Sequence, residues 1–177
     1  MSISPSIGST GGATPVVITG TGFQRAGYQS GVLVTLGDAV ISPLYANSTT
    51  IWAEVPAHAP GQVDVVVTNW DGQTGRLSGA YTFALPESFD FNGNWQSDDH
   101  DGPPVRFTIQ NDGLASVGCG TATTRTFSPP IPVSNGEFSF SGDDGVAFSG
   151  RIVSPSIARG TISMAPCIPM TWYAAKQ

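Results

Sequence analysis

The sequence predicts an all-β chain built from two small modules. Three observations carry this. No run of 12 or more residues shows apolar spacing at helical period, because Gly, Pro, Ser and Thr interrupt every candidate, with 22 glycines and 14 prolines in 177 residues. Short segments of alternating polar and apolar residues recur between Gly- and Pro-bearing turns. The length matches two modules, since one β sandwich takes about 100 residues.

The clearest strand is Val63 to Thr68, where Val63, Val65 and Val67 share one face. Asn69-Trp70-Asp71-Gly72 then turns the chain, Asp-Gly being suited to a tight hairpin turn, and Tyr81 and Phe83 lie on the return. Upstream, Ile51, Ala53 and Val55 alternate with Trp52 and Glu54, and the extended stretch Pro56 to Pro60 follows. Nearer the start come Ile3-Ser4-Pro5, Gly8, Gly11-Gly12 and Val17-Ile18-Thr19-Gly20-Thr21-Gly22-Phe23, then Val32, Val34 and Leu36 ahead of Gly37. This series, in this order, resembles the IPT/TIG family. The resemblance covers residues 1–84 and implies an immunoglobulin-like β sandwich with Val63, Val65, Val67 and Phe83 inward.

Residues 85–88, Leu-Pro-Glu-Ser, read as a short linker stiffened by Pro86. It is too short for free tumbling, so an ordered interface between the modules is expected. Residues 89–177 form the second module, about eight short strands at the spacing of a small antiparallel sandwich or barrel. Its strands are read at Phe89–Trp95, Val105–Ile109, Leu114–Cys119, Phe138–Phe140, Val146–Val153, Ile157–Met164 and Met170–Ala174. The order F-x-G-x-W, C, N-G-x-F-S, G-T-I, C, W-x-A resembles small C-terminal domains of secreted bacterial proteins.

Charge excludes several functions. The net charge is −6, Lys176 is the only lysine, and the six arginines are scattered. A nucleic-acid surface needs clustered cations to displace counterions from phosphate, so no nucleic-acid partner is expected. No apolar stretch reaches the ~20 residues that cross a bilayer, and no membrane insertion is expected. The N-terminus lacks the features of a signal peptide. Either the chain is cytosolic or it was cut from a longer secreted protein; the second is expected, because the IPT/TIG pattern starts at Ile3, with Met1 an added start codon. Cys119 and Cys167 both fall in the second module. Two cysteines in a small β domain of secreted type suggest one disulfide, the alternative being two buried thiols.

Local chemistry is sparse. Gly20-Thr21-Gly22 is not a dinucleotide loop, since Arg25 stands where the third glycine belongs; the IPT/TIG resemblance implies a β turn there. No Gly-x-Ser-x-Gly elbow occurs, His58 reads as a solvated loop residue, and no catalytic residue is expected. The acidic loop Asp98-Asp99-His100-Asp101 departs from the calcium-loop pattern and reads as a solvated turn, the alternative being a metal or ligand loop; Asp143-Asp144 is a second acidic pair. No metal or cofactor is expected.

Aromatic residues are the better signal. Trp52 should point outward, Trp70 sits at a turn tip, and Trp172 and Tyr173 must face opposite ways. Trp52 and Trp70 are expected at an interdomain or partner surface. Trp95, with Asp98, Asp99, His100 and Asp101, and the pair Trp172 and Tyr173 form the candidate ligand site, where rings would stack on sugars and carboxylates accept from hydroxyls. The IPT/TIG resemblance and the composition together imply a non-catalytic, extracellular or cell-surface bacterial protein fragment. Its partners would be neighbouring domains of a parent protein. The alternative is a carbohydrate-binding module, with polysaccharide as partner, accessory to a polysaccharide-degrading enzyme.

Overall fold

Strand alternation organises the computed structural model throughout, which describes residues 1–26, 29–97, 102–120 and 123–177. The chain divides into two units, Met1–Leu85 and Pro86–Gln177.

In the first unit the strands are β1 (Ser2–Ser4), β2 (Ile7–Ser9), β3 (Thr14–Thr19), β4 (Arg25–Ala26), β5 (Gln29–Ser30) and β6 (Val32–Leu36). They continue with β7 (Ala39–Ile41), β8 (Pro43–Ala46), β9 (Thr50–Val55), β10 (Gly61–Asn69) and β11 (Thr74–Ala84). One sheet has the order β1-β3-β9-β8, the other β2-β11-β10-β6-β7, and β4 with β5 forms a small ribbon. The N-terminal segment changes sheets at Pro5, whose ring leaves no N–H for a ladder. Past it, β2 runs parallel to β11. The inner faces meet in one core, with Ile18 and Val16 from β3, Ile51, Ala53 and Val55 from β9, Val34 and Leu36 from β6, and Val65, Val67, Tyr81 and Phe83 from β10 and β11. Val63 is partly buried against that core.

The β10–β11 hairpin carries an irregularity between Val63 and Val65. Gly79 bulges there at φ 55°, a conformation that costs glycine little. Its orphaned backbone groups are satisfied by side chains. The Gly79 N–H donates to Asp64 Oδ1 at 2.7 Å, and Gln62 Nε2 donates to the Gly79 carbonyl at 2.8 Å. Arg76 also donates to Asp64. The Gly79 amide is the largest cause that holds the Asp64 carboxyl below the usual carboxylate range; burial opposes it, and Arg76 adds to the lowering. A carboxyl depressed in the folded state contributes stability above its unfolded pKa of about 4, and that contribution is lost as pH falls through the folded value. Asp64→Asn should therefore flatten the loss of stability on acidification. The check is the denaturation midpoint at neutral pH and near pH 3; equal acid sensitivity in both proteins would contradict this role.

The second unit opens with a 3₁₀ turn, Pro86–Ser88, so most of the expected linker belongs to this unit. Its strands are β12 (Gly93–Ser97), β13 (Val105–Gln110), β14 (Gly113–Cys119), β15 (Thr123–Pro132), β16 (Glu137–Ser141), β17 (Ala147–Ser154), β18 (Ile157–Met164) and β19 (Cys167–Lys176). They form one antiparallel sheet in the order β15-β14-β13-β12-β19-β18-β17-β16. The outermost strands, β15 and β16, are consecutive in the chain, joined by a turn in which Ser134 bridges Glu137. The sheet thus curls into a nearly closed barrel. Strand β15 is absent from the strands read in the sequence, and its prolines, Pro129, Pro130 and Pro132, oppose pairing in general. They are tolerated because β15 lies at the seam, where one side of the strand needs no ladder donors. Side chains cover that seam: Phe127 packs on Phe140 at 5.0 Å between centroids, and Arg125 lies 4.4 Å over Phe140 while pairing with Asp144 at 2.6 Å.

The barrel interior is filled by aromatic rings, as an eight-stranded barrel is just wide enough to be. Phe107 touches Trp95, Phe138, Phe148 and Trp172, with centroids 5.2–5.7 Å apart. Phe138, Gly150, Gly160 and Trp172 lie in one row across four strands. The glycines make room for the rings: a Cβ at Gly150 would stand 2.6 Å from Phe138 Cε2 and 2.8 Å from Trp172 Cη2. Cys119 and Cys167 are joined as a disulfide, with Cα atoms 6.0 Å apart. In the strand order β14 and β19 are separated by β13 and β12, so the bond spans beyond neighbouring strands.

Candidate functional site

The aromatic residues sort by strand face. Trp95 is 1% exposed. Its ring stacks on Phe107, and its Nε1–H donates to the Phe91 carbonyl at 3.2 Å. Trp172 is also buried, in contact with Phe107, Phe138 and Phe148. Both were expected at a ligand surface, and both are core. The period-two argument separates two faces but does not say which one the sheet closes over. Tyr173, the outward neighbour of Trp172, is 47% exposed, and the Arg159 guanidinium lies 5.1 Å over its ring. Asp98, Asp99, His100 and Asp101 lie outside the described residues. The expected cluster of rings and carboxylates is therefore reduced, among the described residues, to Tyr173.

His58 also departs from expectation. It is no solvated loop residue: its ring stacks on Phe83 at 4.2 Å between centroids. Nε2 meets Asp38 at 2.8 Å, and Nδ1 meets the Ala59 carbonyl at 2.7 Å. The ring fastens the Pro-rich entry loop to the turn at Gly37-Asp38. Asp144 is engaged by Arg125 and by the Val146 N–H, which hold its carboxyl below the usual range. Among the described residues no group of three or more His, Cys, Asp or Glu could hold a metal ion.

Exposed rings concentrate on the first unit. Trp70, 70% exposed, stands at the tip of the β10–β11 hairpin. That tip is tied down: Asn69 Nδ2 donates to the Gly22 carbonyl at 2.8 Å, and Gln24 Nε2 donates to Asp71 at 2.7 Å. Gln24, with the Gln73 N–H, lowers the Asp71 pKa. Trp52 is 56% exposed on the outer face of β9. Its cross-strand neighbours are Val17 on β3 and Tyr45 on β8. Val17 and Tyr45 are exposed as well, and the Tyr45 and Trp52 rings meet edge-on with centroids 6.1 Å apart. This contiguous apolar face joins the exposed Trp52, which alternation signals, to Tyr45, which it does not. Strand β8 begins with Pro43, and its pairing shifts between Pro43 and Tyr45. No clean alternation marks it in the sequence.

Two sheets packed face to face, with a parallel N-terminal strand on one of them, form an immunoglobulin-like frame, and the IPT/TIG domain model matches the chain over residues 1–84. Residues 1–84 are an IPT/TIG domain. Such domains are non-catalytic immunoglobulin-like modules that occur in extracellular and cell-surface proteins. Human Fibrocystin-L is similar to this chain, 39% identical over 66 residues; the match takes in 37% of this chain and spans about 2% of the length of that relative. Within the IPT/TIG domain, Gly20-Thr21-Gly22 leads from β3 toward Phe23, which packs in the core. The apolar face of Val17, Tyr45 and Trp52 lies on its β1-β3-β9-β8 sheet.

Proposed function

We propose that the chain is a non-catalytic segment of a larger secreted or cell-surface protein, serving there as a spacer or binding unit. One observation carries the reading: a buried disulfide closes the unit that follows the IPT/TIG domain. Such bonds persist in oxidising compartments and are rare where glutathione keeps thiols reduced. The acidic, lysine-poor composition agrees. A bacterial origin is part of the proposal and rests on the motif order of the second unit, since the similar protein named above is human. The alternative reading, a carbohydrate-binding module in the second unit, loses its two buried tryptophans.

Antibodies raised against the purified chain should label intact, unpermeabilised source cells, or recover the parent protein from the medium. Labelling confined to permeabilised cells would overturn the assignment.

A further inference from the structure

We propose that the outer face of the β1-β3-β9-β8 sheet, centred on Tyr45 and Trp52, binds an uncharged polysaccharide chain. The inference rests on the extracellular reading above and moves carbohydrate binding from the second unit to the IPT/TIG domain. Outer faces of sandwich sheets normally carry polar residues. Here Val17, Trp52 and Tyr45 follow one another in register across three strands, and all three are exposed.

The polar atoms of the two rings define the ligand chemistry. Tyr45 Oη accepts from Asn47 Nδ2 at 3.2 Å, which fixes the ring and leaves the phenol proton free to donate. Among the described residues no acceptor meets the Trp52 indole N–H. The face therefore offers two ring surfaces and two donors that no described residue engages. A pyranose presents the complement: an apolar C–H face and hydroxyl oxygens that accept. Charge narrows the class further. No lysine or arginine stands on β1, β3, β8 or β9, and Glu54 is the one ionisable carboxylic side chain these strands carry. An anionic polymer would find no counter-charge there, so the ligand is uncharged.

Size decides between a sugar and a protein partner. From their fractional exposures Val17, Tyr45 and Trp52 present on the order of 300 Å² of surface. A standard protein interface buries about 800 Å² on each partner, well over twice that. A few stacked sugar rings need no more than the face provides.

The test uses the full chain and hexasaccharides of cellulose, xylan, β-1,3-glucan and starch, with polygalacturonate as the anionic control. Titration calorimetry should show at least one neutral hexasaccharide binding. Trp52→Ala should weaken it about tenfold or more, the equivalent of one stacked ring. Tyr45→Phe, which keeps the ring, should weaken it roughly fivefold through loss of one hydrogen bond. Tyr173→Ala in the second unit should change nothing. Both first-unit positions are exposed, and circular dichroism checks that the variants fold. The proposal is overturned if no neutral hexasaccharide binds at millimolar concentration, if binding survives Trp52→Ala, or if polygalacturonate binds better. It is overturned too if sedimentation shows self-association that Trp52→Ala abolishes, which would make the face a contact between copies. Absence of sugar binding with surface labelling intact would leave the extracellular assignment standing; labelling only of permeabilised cells would overturn that assignment whatever the sugars do.

Discussion

Phe107→Ala should cost the second unit about 3–5 kcal/mol, the range for deleting a buried aromatic side chain. Phe107 is 2% exposed and touches four other rings, so its removal opens a cavity at the centre of the barrel. The walls cannot collapse into that cavity easily. Trp95 is tethered through its indole N–H to Phe91, and Trp172 is seated on Gly150 and Gly160. Relaxation would break those seats as well, so the cost falls at the upper end of the range. Tryptophan fluorescence reports the outcome. Trp95 and Trp172 are buried in the second unit, whereas Trp52 and Trp70 are exposed in the first. The blue-shifted emission of the buried pair should therefore be lost at lower denaturant in the variant. A cost below about 1 kcal/mol would show that Phe107 is not the central packing residue, since surface changes stay within about half of that.

Removing the disulfide in a Cys119→Ala, Cys167→Ala double variant should destabilise the second unit by about 4 kcal/mol. The bond closes a loop with a sequence separation of 48 residues, and the chain-entropy model assigns a loop of that size roughly this stabilisation. The bond should also resist reduction in the native protein. Cys119 and Cys167 are 0% and 1% exposed, so an attacking thiolate reaches them only when the barrel opens. Incubation with dithiothreitol and iodoacetamide, followed by mass spectrometry, should show no alkylated cysteine without denaturant and two in urea. Rapid native alkylation would contradict the burial. A double variant as stable as the parent would mean that the loop is already constrained in the unfolded chain.

The immunoglobulin-like first unit was legible from residues alone, because turns and strands there obey local rules. Gly-bearing turns punctuate the chain, and Val63, Val65, Val67 and Ile51, Ala53, Val55 alternate at period two. The outward position of Trp52 follows from the same alternation. The disulfide was legible by count, since only two cysteines exist and both lie in one unit. Three things only the tertiary structure decided. Alternation places Trp172 opposite Tyr173 but is symmetric between inside and outside; the curl of the eight-stranded sheet makes the face of Trp95 and Trp172 the interior. Strand β15 is hidden by its prolines, which oppose pairing in general and are harmless at a seam. The contact of Tyr45 with Trp52 depends on cross-strand register between β8 and β9, set by a shift at Pro43 that no local pattern announces. Position along a strand is a local property, written residue by residue. Which strands become neighbours, and which face they close over, depends on how the whole sheet buries its apolar surface.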